Sequence, residues 1–430
     1  MAGLTDPRTF EAGVPYGLLA ALRREQGVVR VPEPALLGQP AGPGHWLVLR
    51  HSDVKAVLRD PRRFSSWLGA TQVRDPATPA DLAYVRLMML NMDPPEHSRL
   101  RRLLHRSFTP RAVAALEAGI AAHAESIVDR LLETDGVADF AAAAADLPLL
   151  ALADVLGMPA ADRGLLFDWS NRVIGFQDPD YAASARFTGG TDIAAQALAL
   201  RPAPGPDGRM PDPRTRAGIP DLYAYAHLLA ARKREQPGED VMSLLLSEVD
   251  DDGGRVSVAE FENLFWLFAV AGNETLRNGI PGGMVALLAH PQAQRALRAD
   301  PALLPGAVEE MLRWWTPVMV FRRTATEDVT LSGVDIAAGD KVVVSFAAAN
   351  RDETVFADPD RFDITRGGGE HLVFGHGPHF CLGAHLARAQ LRALFGRLLA
   401  RTREIEPAGE PVLLRSSFQR GVKHLPVRLT

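Results

Sequence analysis

The 430-residue sequence predicts a mainly α fold with a minor β part. Three observations predict it. Nine stretches before residue 316 space Leu, Ala and Val at helical intervals with charged residues between them. Strand-like runs are few and short. The chain from Thr316 to Gly383 is rich in turns and loops before helical spacing returns over 384–401.

Taken in order, the helical stretches are 16–27, 51–59, 97–107, 111–133, 146–156, 222–236, 259–290, 292–299 and 305–315. Thr109-Pro110 reads as a helix start. Ser257-Val-Ala-Glu260 has the pattern of a capping box, in which hydroxyl and carboxylate each accept from the other residue's backbone N–H. Strands are expected at 45–50, 320–324, 328–331 and 340–346, with a turn at Ser332-Gly333. Segment 201–220 holds six prolines and reads as a flexible surface connection. No internal repeat or shift in composition marks a boundary, so residues 1–430 read as a single domain.

Hydrophobic content of 47% and charged content of 23% are ordinary for a globular protein, and a chain of this length can bury a large core. A net charge of −5 argues against a nucleic-acid surface. All but four of the 47 basic residues are arginine, so an arginine informs only through its spacing. The single cysteine excludes an intramolecular disulfide. No apolar run approaches the roughly 20 residues of a membrane span, and no charged-then-apolar leader opens the chain. The expectation is a cytoplasmic protein that binds neither nucleic acid nor membrane.

The one cysteine lies in Phe374-Gly-His-Gly-Pro-His-Phe-Cys-Leu-Gly383, directly before the helix of 384–401. In isolation such a residue reads as a buried cysteine in a glycine-rich turn. A metal-bound thiolate accounts for more of the string. It needs a tight loop, for which Gly375, Gly377 and Gly383 supply backbone freedom, and a helix N-terminus to stabilise the negative sulfur. Phe374 can shield the sulfur from water, and His379 lies two residues before Cys381. The complete pattern Phe-Gly-x-Gly-x-His-x-Cys-x-Gly resembles the cytochrome P-450 superfamily. The resemblance runs from about residue 50 to the end of the chain.

That resemblance implies a P-450 fold, with a large helical lobe and a small β-rich lobe around a buried haem b (iron protoporphyrin IX). Cys381 would be the axial ligand of the iron, and Phe374, Gly375, His379 and Gly383 would belong to the cofactor site. Ala271-Gly-Asn-Glu-Thr275 lies midway in the helix expected over 259–290, where glycine costs roughly 1 kcal/mol relative to alanine and threonine can bond its own backbone. The resemblance makes Ala271 and Gly272 an oxygen-binding groove, Glu274 a proton source, and Thr275 the residue that holds dioxygen and its water. His97 and Arg101 stand four apart on one helix face. The resemblance assigns both to the haem propionates, with Arg323 as a third partner. Glu310, Arg313 and Arg361 correspond to the structural Glu–Arg–Arg triad behind the cysteine loop. Arg99 and Arg102 are expected on the surface that meets an acidic redox partner.

The implied activity is that of a haem-thiolate monooxygenase that inserts one oxygen atom of O2 into a C–H bond. No loop for a nucleotide or flavin is recognisable, since Gly367-Gly-Gly369 lacks a strand–turn–helix setting. Electrons are therefore expected from a ferredoxin and its reductase, and the chain is expected to act as a monomer. The expected substrate pocket is apolar. It takes Trp67, Leu68, Met88 and Met89 from one loop, and Phe268 and Val270 from the long helix. Val318, Met319 and Val320 follow Pro317, and Phe418 lies near the C-terminus. The segments AGNETLRN, RRTATEDV and SSFQRGVKHLPV look most like bacterial relatives acting on steroids, terpenoids and branched lipids. Rival readings are a peroxygenase of the same fold, a haem protein without turnover, and a haem-free cysteine hydrolase. The Glu274-Thr275 pair speaks against the first two, and the third needs a base beside Cys381.

Overall fold

A computed structural model describes residues 2–36, 39–105, 108, 110–174, 178, 187–203, 205, 210–213, 215–247, 254–367 and 369–430. The expected helices are present as Tyr16–Glu25, His51–Arg59, Glu96–His105, Pro110–Glu133, Asp146–Leu156, Pro220–Glu235, Val258–Ala289, Pro291–Ala299, Leu304–Trp315 and Ala384–Arg401. The capping box at the start of the long helix is formed. Ser257 N donates to Glu260 Oε2 at 2.9 Å, and Glu260 N donates to Ser257 Oγ at 3.2 Å. Thr109 lies outside the described residues, as do 204, 206–209 and 214 of the proline-rich segment. That segment is not superficial throughout, since Gly218 and Ile219 at its end are buried.

Helices that the spacing does not announce include Pro79–Val85, Gly164–Ile174, Asp192–Leu198 and Val241–Ser247. Gly164–Ile174 shows why. Its polar residues Asp168, Ser170, Asn171 and Arg172 are buried and bonded internally, so no polar stripe contrasts with an apolar one.

The described backbone groups into two compact units. The first comprises Met1–Arg74, Ala114–Leu147 and Thr275–Thr430, and the second Asp75–Val113 and Pro148–Glu274. Among the described residues every named strand lies in the first unit. Its five-stranded sheet runs in the order Val28–Glu33, Gly42–Val48, Lys341–Ser345, Val320–Ala325, Phe64–Ser65. Lys341–Ser345 is buried at every position. Val342 and Val344 pack with Val54, Leu58, Phe64 and Leu372 on one face, and Val343 with Leu19, Leu22 and Leu47 on the other. A strand covered on both faces reads as an apolar run rather than an alternation. Val28–Glu33 is an edge strand that carries Pro32 at a register shift, where the missing N–H does little harm. Val329–Leu331 and Val334–Ile336 form a hairpin, and Ser332 and Gly333 both take the positive φ of a two-residue turn, 50° and 80°. Among the described residues no helix is long and apolar enough to cross a membrane.

Candidate functional site

Cys381 is exposed, although cysteine is among the residue types most often buried. Its loop is held from inside. Cys381 N donates to the Phe374 carbonyl at 2.8 Å, Gly375 N to Leu372 O at 3.0 Å, and Phe380 N to Gly377 O at 3.0 Å. Gly375 and Gly377 adopt φ of 72° and 71°, and a Cβ on Gly377 would stand 2.4 Å from the Leu58 carbonyl oxygen. Both positions therefore require glycine. The same argument does not extend to Gly383, which sits at φ −86° as the N-cap of the helix Ala384–Arg401. A Cβ there would meet only open space. The 18-residue helix that follows presents its N-terminal N–H groups close in sequence to the sulfur.

Three side chains missed by the sequence reading stand behind this loop. Glu309 accepts from Arg388 Nε at 2.6 Å and Arg388 Nη2 at 2.7 Å, and His371 Nε2 lies 3.0 Å from the same carboxylate. Arg388 Cζ sits 4.4 Å from the centre of the buried Phe374 ring. Burial alone would raise the Glu309 pKa, but Arg388 and His371 outweigh it and hold the carboxyl at about 2. The one sequence signal was the doubled acid Glu309-Glu310, whose members face different sides of their helix.

The neighbouring acid, Glu310, is fully enclosed. It accepts from Arg313 Nε at 2.7 Å and Nη2 at 2.8 Å, and from the Asp363 N–H at 2.9 Å. The third arginine of the expected triad is corrected here: it is Arg366, not Arg361. Arg366 Nε lies 3.3 Å from Glu310 Oε2, whereas the Arg361 side chain is 69% exposed and reaches only Asp363, at 3.9 Å. Arg361 contributes its backbone instead, accepting from Arg313 Nη2 at 3.3 Å and Arg366 Nη2 at 3.1 Å. The turn closed by Arg361 N and Asp358 O directs the carbonyl inward and the side chain to solvent.

Other expected residues of the first unit fall on firm elements. Arg323 is buried in the strand Val320–Ala325, paired with Val342, and donates Nη1 to Arg322 O at 2.8 Å. His379 Nε2 is 3.4 Å from Ser66 Oγ. Met319 N donates to Phe418 O at 2.9 Å, Val318 bridges to Gln419, and the rings of Phe321 and Phe418 are 5.6 Å apart. Val320 is half-buried at the start of its strand. Trp67 and Leu68 are exposed at 41% and 43%, with their backbone N–H groups on Ser65 Oγ.

In the second unit, His97 is buried and Arg101 half-buried on the helix Glu96–His105. Arg99 of that helix is half-buried and ion-paired to Glu260. Met88, Met89, Phe268 and Val270 are all buried, with Phe268 5.5 Å from the Phe108 ring. Glu274 is also buried, and Ser170 Oγ donates to its Oε2 at 3.2 Å. Ser170 was not foreseen. A Cβ on Gly272 would lie 3.0 Å from Leu152 Cδ1, so glycine here permits close helix packing, and the helix runs unbroken through it.

The long helix is enclosed along most of its length. From Phe261 to Met284 every residue is buried except Ala271, Gly272 and Thr275, which share one face. Within the first unit, the exposed thiol of Cys381 in its rigid loop and the buried guanidinium of Arg323 suit a group with a soft-ligand metal and a carboxylate tail.

The chain is similar to several known proteins. The family model described as Cytochrome P450 matches residues 225–418. A steroid C26-monooxygenase of Rhodococcus jostii is 36% identical, over 98% of this chain and 83% of that protein. A methyl-branched lipid omega-hydroxylase of Mycobacterium tuberculosis is 39% identical, over 99% of this chain and 93% of that protein. A solved Mycobacterium marinum cytochrome P450 in complex with pseudoionone is 37% identical with a TM-score of 0.83, covering 98% of this chain and 96% of that one.

Proposed function

The chain belongs to the cytochrome P450 family, and from that premise we propose that it hydroxylates the ω end of a methyl-branched, steroid- or terpenoid-like hydrocarbon, with electrons from a ferredoxin and its reductase. It is a haem monooxygenase with the P450 fold that acts on hydrophobic small molecules. Haem b, when bound, supplies the chemistry that activates dioxygen and puts one oxygen atom into a C–H bond.

The observation that carries the assignment of residues is Cys381, an exposed thiol on a loop bent by Gly375 and Gly377 just before a helix. We assign it as the residue whose thiolate would hold the haem iron. His97, Arg101, Arg323 and His379 are the proposed partners of the propionates, since guanidinium and imidazole groups suit carboxylates. Phe374 shields the sulfur, while Gly383, Ala271 and Gly272 leave room for the ring. Glu274, oriented by Ser170, supplies protons, and the Thr275 hydroxyl holds the water that relays them. Glu310 with Arg313 and Arg366 keeps the region behind the loop in place.

The proposed substrate follows from the apolar residues Trp67, Leu68, Met88, Met89, Phe268, Val270, Val318, Met319, Val320 and Phe418, and from relatives named for a steroid C26 position and for the ω position of methyl-branched lipids. The whole chain is taken as one haem-binding domain, acting as a cytoplasmic monomer. The test is a ligand screen by haem spin-state shift with steroids, terpenes, branched and straight fatty acids and aromatic compounds, followed by product mapping. Branched chains should give the largest shift and a terminal alcohol. A preference for small aromatics, or oxidation away from the chain end, would overturn the substrate reading.

A further inference from the structure

We propose that Glu309 and Arg388 form a charge-compensated brace that positions Phe374 and sets the electrostatic surroundings of the Cys381 thiolate. This rests on the assignment of Cys381 as haem ligand.

The path is continuous and lies within the first unit. Glu309, on the helix Leu304–Trp315, takes both Nε and Nη2 of Arg388, which stands in the second turn of the helix that follows the cysteine. Arg388 lies over the Phe374 ring with Cζ 4.4 Å from its centre. The Phe374 carbonyl in turn accepts the Cys381 N–H at 2.8 Å. A cation over an aromatic face is held by the ring quadrupole, so the guanidinium fixes the ring as well as the acid. His371 adds a second contact to the Glu309 carboxylate, and its ring lies 5.9 Å from Phe374.

Anchoring the helix Leu304–Trp315 does not by itself require this pair. Glu310, the adjacent residue, already anchors the same helix through Arg313, Arg366 and the Asp363 N–H. Glu309 instead bonds Arg388 and His371, the two groups that lie against the Phe374 ring. A cation near a thiolate stabilises the negative sulfur, and an anion does the reverse. With both present, the two effects offset. Side chains just beyond a metal's ligands tune its properties in this manner.

The sign of the effect separates tuning from mere support. Reduction of the haem adds negative charge. Glu309→Gln leaves Arg388 uncompensated and should raise the midpoint potential. Arg388→Gln leaves Glu309 uncompensated and should lower it. The double variant and Arg388→Lys should return close to the parent. Potentials are measured on holoprotein, with parent and variants at one pH. Shifts of the same sign in both single variants, or no shift in either, would overturn the brace. If Arg388→Gln does not retain haem, Glu309→Gln against Arg388→Lys decides: a rise in the first alone supports the proposal, and equal shifts overturn it. The ferrous–carbonyl spectrum of the parent keeps the two readings apart. A parent without the thiolate-type band removes the ligand assignment and the brace with it. A parent with that band and same-sign shifts removes the brace alone.

Discussion

Arg313 donates Nε and Nη2 to opposite oxygens of the Glu310 carboxylate, and both side chains are 1% exposed. Removing one partner strands the other charge inside the protein, at a cost of about 3–5 kcal/mol. Glu310→Ala and Arg313→Ala should therefore lose most holoprotein on purification. Arg361→Ala, which removes an exposed side chain, should stay within about 0.5 kcal/mol of the parent. Denaturant unfolding and haem content measure both. A destabilised Arg361→Ala with an unaffected Arg366→Ala would reverse the assignment of the third arginine.

His45 gives a pH dependence of defined sign. Burial, reinforced by Lys341, Arg30 and Arg322, pushes its pKa down to about 3. The unfolded chain titrates this group near 6.5, so it binds a proton that the folded state refuses. The resulting stability is present above about pH 6.5 and is lost as pH falls toward 3. His45→Gln should flatten that limb of a stability–pH curve. Glu309, held at about 2, contributes separately and lower, below the usual carboxylate range. An unchanged acid limb in His45→Gln would mean that the imidazole charges without penalty.

The long amphipathic helices and the cysteine loop were legible because each writes a local pattern. Periodicity located Val258–Ala289 and Ala384–Arg401 to within a residue or two. Gly375 and Gly377 announced a strained loop that the backbone angles bear out. Ser170 and Arg388 left no such trace, since a serine or arginine within a helix means little until the tertiary fold brings an acid beside it. Arg361 was misassigned for a related reason. Sequence proximity identifies the turn, but only the backbone direction decides which arginine enters it.

The acid and alcohol of the long helix should be separable by stoichiometry. Thr275→Ala should keep the haem spectrum and continue to consume NAD(P)H through its redox partners, with a larger share appearing as hydrogen peroxide. Glu274→Gln should slow consumption as a whole. Ser170→Ala, which removes the hydroxyl 3.2 Å from Glu274 Oε2, should slow it to a lesser degree. The measurement is product and peroxide per NAD(P)H with the best spin-shifting ligand. Coupling in Thr275→Ala equal to the parent would leave the threonine with no part in proton relay.

Electron supply is testable without mutation. NAD(P)H alone should give no product, and a ferredoxin with its reductase should restore turnover. Turnover should rise at lower salt if the docking surface is basic, with Arg102 among its charges. Product from NAD(P)H and the purified chain alone would contradict the proposed partners.

The identity of the ligand is the central claim, and one spectrum tests it most directly. Reduced protein exposed to carbon monoxide should show the absorption characteristic of a haem held by a thiolate. Cys381→Ala, which removes the only sulfur of its kind in the chain, should abolish that band. The same band persisting in Cys381→Ala, or absent from a fully haem-loaded parent, would contradict the account.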